Sequence, residues 1–218
     1  MNRLHRSSIA LLAALAVTPL AAAAQDAPAA VDRAVAAWDK VKSARATFEQ
    51  TVTNPLTGRA ETARGEYVQQ GKDRISVRFT DPAGDRIVAD GKVLWLYLPS
   101  STPGQVIRTT PTPGATVDWT AQFLSSPRTR YDIADAGRAT VSGRATQAVM
   151  LTPRGKDAPF TRAKVWVDDR DGMIRQFEVT DQSGVKRHVR LTSLEVNVPV
   201  EAAAFRFTPP KGVRVVAQ

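Results

Sequence analysis

The most informative absence in this sequence of 218 residues is cysteine, of which there is none. The absence excludes disulfide bonds, metal–thiolate sites and cysteine nucleophiles. It also excludes a lipid attached to an N-terminal cysteine, so we do not expect the chain to be a lipoprotein itself. A domain of this composition must be held together by the burial of apolar side chains.

A second shortage concerns residues that carry acid–base and phosphate chemistry. The sequence has two histidines, His5 and His188. His5 lies in the basic N-terminal stretch, and His188 alternates with Lys186 and Arg190 on a predicted polar strand face. No serine stands in a nucleophile elbow, and no glycine-rich phosphate loop occurs. These absences predict a protein that is not an enzyme and needs no cofactor.

One short acidic run resembles part of a metal site. Asp168, Asp169 and Asp171 precede Gly172, but the other ligands of a calcium loop and its terminal glutamate are missing. We therefore interpret the run as a hairpin turn and predict no metal site.

Long apolar runs are also scarce. The stretch from Ile9 to Leu20 follows a basic start and precedes the small residues Ala22-Ala23-Ala24, and it is too short to span a bilayer comfortably. The pattern predicts a secretory signal peptide over residues 1–24 and a single exported domain over residues 25–218. An amphipathic or membrane-anchoring helix is the alternative. No other stretch is long and apolar enough to cross a membrane.

The sequence is rich in basic residues. The formal net charge is +9, to which Arg3 and Arg6 of the predicted leader contribute two charges. A basic surface attracts anionic lipid surfaces or acidic partners. No run of five basic residues occurs, and we expect no nucleic-acid partner. A solvated basic surface without a specific partner explains the charge equally well.

The spacing of apolar residues predicts mostly strands. Residues 25–30 are expected to form a loose leader, and Ala30 to Val41 has the spacing of a short amphipathic helix. From Ser43 the period becomes two, and turn-forming residues separate the segments. Strands are predicted at 43–53, 64–69, 74–80, 85–89, 93–98, 105–109, around 131, and at 139–152, 162–167, 173–180 and 185–194. The whole predicts a mainly β protein with short α-helices, in which one antiparallel sheet curls and helices cover one face.

The segment ADGKVLWLYL, residues 89–98, is apolar on both faces. A two-residue turn at Asp90-Gly91 would pair Ile87 with Leu94 and Val88 with Val93. One face would then carry Ile87, Leu94, Leu96 and Leu98, and the other Val88, Val93, Trp95 and Tyr97. In a curled sheet, one face could line a concave pocket for an apolar ligand, while the other needs a terminal segment or a partner. A sandwich-like core without a ligand is the alternative.

Three segments in this order resemble one family, the outer-membrane lipoprotein carriers called LolA. They are ATFEQ at 46–50, VADGKVLWLY at 88–97 and FRFTPPKGV at 205–213. The resemblance covers essentially the whole predicted mature chain and is weakest in the middle. It implies a LolA/LolB-like fold, which is an unclosed half-barrel with a helical lid. LolB is itself a lipoprotein, and the missing cysteine argues against that branch.

The resemblance also implies a function. A concave cavity would hold the acyl chains of lipoproteins released by an inner-membrane ABC transporter and would hand them to an outer-membrane acceptor similar to LolB. It implies a periplasmic protein, which we expect to be a monomer. Two alternatives are a LolA-like sensor or structural protein that binds lipoproteins without ferrying them, and an exported lipid-modifying enzyme.

The resemblance and the alternation of the strands together predict the site. The side chains expected to face the cavity are Phe48, Ile75, Val77, Phe79, Ile87, Leu94, Leu96, Val165 and Val167. The side chains expected to form the lid, within a helix over Thr116 to Ser125, are Trp119, Phe123 and Leu124. On the outer face, we expect Trp95 and Tyr97 to pack under the segment from Phe205 to Pro210.

The lid latch departs from the family pattern. In the best-known members an Arg-Pro pair follows the second strand, and the arginine bonds the lid shut. Gly71-Lys72 stands at the matching positions here. Lys72 and Arg74 are therefore the candidate latches, and closure by apolar packing alone is the alternative.

Overall fold

The computed structural model describes residues 21–111, 119–155 and 158–217, so most of the predicted signal peptide lies outside the described residues. The helices are α1 (Ala21–Trp38), α2 (Trp119–Leu124), α3 (Pro127–Arg130) and a 3-10 helix (Ala202–Phe205). The strands are β1 (Ser43–Thr53), β2 (Ala60–Gln70), β3 (Arg74–Asp81), β4 (Ala83–Asp90), β5 (Leu94–Tyr97), β6 (Gln105–Thr109), β7 (Tyr131–Val141), β8 (Arg144–Pro153), β9 (Phe160–Asp168), β10 (Ile174–Asp181), β11 (Lys186–Val196) and β12 (Arg214–Ala217).

The strands of the described part form a single sheet of 12 strands, in the order β12-β6-β5-β4-β3-β2-β1-β11-β10-β9-β8-β7. Neighbouring strands are antiparallel, except that β12 runs parallel to β6. The order starts at β12 and stops at β7 without pairing the two, so the sheet does not close into a barrel. The predicted fold class, a mainly β protein built on one curved and unclosed sheet with short helices, is confirmed.

Helix α1 packs across one end of the sheet. Ala27, Ala30, Val31 and Ala34 recur at the spacing of one helix face and are buried against β7, β8 and β9. The expectation of a loose leader over residues 25–30 is wrong, because the helix includes them. Alanine favours the helix, and Ala27 and Ala30 are buried against the sheet on either side of Pro28. None of the helices described here combines the length and the hydropathy needed to cross a bilayer.

The hairpin of β4 and β5 differs in register from the sequence prediction. Ala89 pairs with Leu94 and Ile87 with Leu96, so the loop is two residues longer than a two-residue turn. The carboxylate of Asp90 accepts hydrogen bonds of 2.8 Å from the backbone N–H groups of both Lys92 and Val93, which closes the longer loop. A shift of two residues leaves every side chain on its face. The predicted division into two apolar faces is therefore confirmed, although the pairing is wrong.

The C-terminal segment covers the outer, convex face of this hairpin. The ring of Phe207 lies 5.6 Å from that of Trp95 and 5.8 Å from that of Tyr97, centroid to centroid. The preceding 3-10 helix packs on β3 and β4 and buries Phe205. The predicted cover by the segment from Phe205 to Pro210 is confirmed, and it explains why β5 is apolar on both sides.

Candidate functional site

The predicted cavity residues all lie on the concave face of the sheet, in two apolar clusters. The larger contains Phe48, Val165 and Val167, with Val77 and Phe79 packed against it. The smaller contains Ile75 and Leu94, with Ile87 and Leu96 packed against it. Val77 and Tyr67 border both clusters, so the apolar surface runs continuously across the face.

The centre of the larger cluster depends on a glycine in β2. Phe48 and Phe79 meet edge to face, with ring centroids 5.6 Å apart. Gly65 lies between their strands, and a Cβ there would stand 2.7 Å from the Phe48 ring and 2.6 Å from the carbonyl oxygen of Arg78. Glycine therefore lets the Phe48 ring lie flat over the neighbouring strand.

Helix α2 covers the larger cluster. Phe123 is fully buried, with its ring centroid 5.3 Å from that of Phe177 and 6.0 Å from that of Phe160. Leu124 packs against the same cluster. Both side chains therefore contact the concave face, and their role as a lid stays a prediction. Trp119 begins α2, but its side chain lies outside the described part, as do residues 116–118 of the predicted lid helix.

Polar bonds tie α2 to the structure that follows it. The hydroxyl of Tyr131, at the start of β7, donates to the carbonyl oxygen of Gln122 at 2.6 Å. Nη1 of Arg130 donates to the carbonyl oxygens of Gln122 and Ser125 at 3.2 and 3.3 Å. The first carbonyl lies in the last turn of α2 and the second directly after it, where carbonyl oxygens have no partner within the helix. Burial raises the pKa of Tyr131, which keeps its hydroxyl protonated as a donor.

An ion pair joins the two other helices beside the lid. The guanidinium of Arg128, in α3, binds the carboxylate of Asp32, in α1, through bonds of 3.0 and 2.5 Å. The hydrogen bond from Arg128 lowers the pKa of Asp32. Both side chains are more than half exposed, so the pair positions α3 more than it stabilises the fold.

The two candidate latch residues lie away from α2. Lys72 is exposed in the turn between β2 and β3, and its ammonium group forms no hydrogen bond or ion pair with another described residue. The guanidinium of Arg74 lies 5.8 Å from the ring centroid of Phe205, on the convex face. These positions favour Tyr131 and Arg130 over the predicted cations as the residues that hold the cover.

Two polar side chains interrupt the concave face near one end of β1 and β11. Nη1 of Arg187 donates to Oε1 of Gln50 at 2.7 Å. Burial lowers the pKa of Arg187, with Asp181 acting in the opposite direction. Sequence reasoning missed both residues. The sequence did contain a signal for Arg187. Side chains alternate along a strand, and Lys186, His188 and Arg190 were predicted on the outer face, so Arg187 falls on the inner face with Val189.

The acidic run forms the hairpin turn that the sequence predicted. The buried carboxylate of Asp168 pairs with Arg144 at 2.5 Å and Arg175 at 3.0 Å. Burial alone would raise the pKa of Asp168, but the hydrogen bonds from Arg144, the backbone of Arg170 and Arg175 lower it to about 2. Across the described residues no group of acidic and histidine side chains is arranged to hold a metal ion.

The chemistry of the concave face is that of apolar contact. His188 lies on the opposite face, 6.3 Å from the ring centroid of Trp166, and burial lowers its pKa. Two grooves, of about 160 Å³ beside the C-terminal segment and about 390 Å³ between α1 and α3, also lie outside the predicted cavity. Over the larger cluster, α1 and α2 occupy the space that a ligand would need.

The comparison with protein families decides the assignment. The model of the outer membrane lipoprotein carrier protein LolA matches residues 39–208. The chain belongs to the LolA family. Among its relatives is the outer-membrane lipoprotein carrier protein of Proteus mirabilis, which is 31% identical over 81% of this chain and 83% of the relative. The carrier of Methylibium petroleiphilum is 29% identical over 94% of this chain and 97% of the relative.

Solved structures share the fold at low sequence identity. An uncharacterized conserved protein from Thermus thermophilus superposes with a TM-score of 0.56 at 15% identity and covers 88% of this chain and 98% of its own. MucB superposes with a TM-score of 0.51 at 17% identity and covers 88% of this chain and 66% of its own. As a LolA-family protein, the chain has the role of a periplasmic lipoprotein carrier rather than that of an enzyme.

Proposed function

We propose that this LolA-family protein takes up lipoproteins released by an inner-membrane ABC transporter and delivers them to an outer-membrane acceptor. It acts after removal of residues 1–24, as a single carrier domain. The cargo binds through its acyl chains, on the concave face formed by the predicted cavity residues.

The observation that carries the proposal is a continuous apolar face covered by a short helix. Each methylene group of an acyl chain gains about 0.8 kcal/mol on leaving water, so the chains require shelter in the periplasm. The side chains of Phe123 and Leu124 fill part of the face when no cargo is bound. Cargo must displace them, which weakens net binding and allows release without a chemical step.

The closure depends on packing and on bonds to α2. Phe123 supplies the packing, while Tyr131 and Arg130 hold the carbonyl groups of its last turn. In this arrangement the cover opens by breaking a small number of local contacts. Closure of α2 in this arrangement needs no hydrogen bond from Lys72 in the β2–β3 turn.

A two-step assay tests the proposal. The protein first takes up a fluorescent diacylated lipopeptide from vesicles and is then mixed with acceptor vesicles that carry an outer-membrane acceptor lipoprotein. We expect Leu96→Glu to reduce uptake at least tenfold, because a carboxylate would replace an apolar contact on the concave face. Val215→Glu is the matched control, because Val215 is exposed and lies on the convex side by its pairing with Val106.

The two steps separate the possible outcomes. Normal uptake by folded Leu96→Glu would place the cargo elsewhere on the molecule. Uptake without delivery to acceptor vesicles would refute the transport function and favour a sensor that binds lipoproteins without carrying them. Uptake with delivery, lost in Leu96→Glu and retained in Val215→Glu, is the expected result.

A further inference from the structure

The groove of about 160 Å³ on the convex face is lined by three arginines. Arg78 and Arg86 come from β3 and β4, and Arg206 directly follows the 3-10 helix that packs on these two strands. Val77 and Ile87 lie on the concave face, so the alternation of the strands places Arg78 and Arg86 on the convex one. The groove is therefore separate from the predicted cavity.

The pairing of the strands sets two of these arginines side by side. Glu66, Arg78 and Arg86 stand directly opposite one another in a row across β2, β3 and β4. Opposite charges at such positions stabilise a sheet, and like charges destabilise it. Nη2 of Arg78 binds Oε2 of Glu66 at 2.7 Å, which is the favourable half of the row. The other half, Arg78 beside Arg86, is a repulsion that an added anion would offset.

Two of the three guanidinium groups are available to a ligand. Arg86 and Arg206 are exposed, and neither forms a hydrogen bond or an ion pair with another residue of the described part. Because Glu66 balances Arg78, the groove keeps two positive charges. It is therefore suited to an anion.

The shape of the groove narrows the choice of anion. Val68 and Val88 contribute apolar surface from the strands, and Ala203 and Ala204 contribute it from the 3-10 helix. Charges beside apolar surface interact more strongly than charges in open water, because the effective dielectric constant is lower. A volume of about 160 Å³ equals that of about five water molecules, at about 30 Å³ each. A single acidic group can enter such a recess, whereas the flat surface of a bilayer cannot.

The residues present favour a carboxylate as that group. A planar carboxylate can accept two parallel hydrogen bonds from one guanidinium, and Glu66 already provides a carboxylate for Arg78. Glu66 also lines the groove, and its charge would repel a phosphate dianion more strongly than a carboxylate with a single charge.

We propose that the groove of Arg78, Arg86 and Arg206 docks an acidic segment of a partner protein, with one glutamate or aspartate side chain bound by the arginines. A partner bound there contacts both the sheet and the C-terminal segment. Because the groove lies on the convex face, it can be occupied while the concave face holds cargo. This docking does not depend on the proposed carrier function, since it involves neither the predicted cavity nor cargo.

Titration with an acidic peptide tests the proposal. The probe is an acetylated and amidated hexaglutamate, and nuclear magnetic resonance follows the backbone amides of Arg86, Ala203 and Ala204. We expect saturable shifts of these amides in the wild type. Binding should be about tenfold weaker in the double variant Arg86→Gln/Arg206→Gln, because two exposed charge pairs are lost. Absence of binding to the wild type would overturn the proposal.

A matched double variant separates the groove from the net charge. Arg64→Gln/Arg190→Gln also removes two exposed charges from the convex face, but outside the groove, where both arginines pair with Glu49. We expect this variant to bind hexaglutamate within about twofold of the wild type. An equal loss in both double variants would mean that net charge alone attracts the peptide, and the docking site would be refuted.

Two other anions complete the test. If inorganic phosphate displaced hexaglutamate at a lower concentration than free glutamate does, the groove would be a phosphate site instead. If the wild type bound vesicles of phosphatidylglycerol but not hexaglutamate, and Arg86→Gln/Arg206→Gln bound neither, the partner would be a lipid surface. Either result would overturn the proposal. The titration needs no cargo, so its outcome is independent of the lipopeptide assay.

Discussion

Truncation of Phe123, the main side chain through which α2 covers the concave face, tests how the carrier controls its affinity for cargo. Phe123 is fully buried and contacts the rings of Phe160 and Phe177 only while α2 lies on the concave face. Replacement of a buried phenylalanine by alanine costs about 3–5 kcal/mol. In Phe123→Ala this cost falls on the closed state, so we expect the open state to become more populated.

The expected effect on cargo is tighter binding. Cargo binds the open state, and its apparent affinity is reduced by the fraction of molecules that are closed. A loss of about 3 kcal/mol from the closed state can raise the affinity by up to about a hundredfold, until closure no longer competes. Equilibrium titration with a fluorescent diacylated lipopeptide measures this gain. Transfer to acceptor vesicles should slow by a similar factor, because the cover no longer helps to expel the chains.

A matched control separates closure from general destabilisation. Phe205 is also buried, but it lies on the convex face. Phe205→Ala should lower the free energy of unfolding without tightening lipopeptide binding. If folded Phe123→Ala binds the lipopeptide with unchanged or weaker affinity, α2 does not compete with cargo and the reasoning is refuted.

Two further predictions concern the bonds around the cover and the acidic turn. Tyr131→Phe removes the shorter of two hydrogen bonds to the Gln122 carbonyl, the other coming from Arg130, and hydrogen exchange of the α2 amides should rise about fivefold, for a bond worth about 1 kcal/mol. Lys72→Leu should leave this exchange unchanged, and the opposite result would return the latch to Lys72. The carboxylate of Asp168 has a pKa lowered from 3.8 to about 2, so it contributes about 2 kcal/mol of stability above pH 4 that is lost as the pH falls toward 2. Urea unfolding should therefore show Asp168→Asn to be less stable than the wild type at pH 7, with a gap that narrows at pH 3; a constant gap would contradict the assigned pKa.

Local pattern was sufficient for the strands and for their faces. The alternation in β3 and β4 placed Ile75, Val77 and Ile87 on one side, and the structure keeps them there. Leu96 lies on the predicted face although its predicted pairing was wrong, because the true register differs from the predicted one by an even number of residues. The turn at Ser142-Gly143 was missed within a predicted strand over 139–152. Both residues have positive φ, which serine adopts rarely, so composition alone gave a weak signal.

What the sequence by itself determined is therefore the class of fold, the family and the apolar character of two faces, because these depend on residue type and on the period of a strand. Tertiary structure decided how each face is covered. It set the C-terminal segment over Trp95, α2 over Phe177, and Arg187 among apolar neighbours beside Gln50. These contacts join residues far apart in the chain, and no local pattern specifies the partner of a buried side chain. The placement of the polar pair on the concave face depends on the pairing of β1 with β11, across more than a hundred intervening residues.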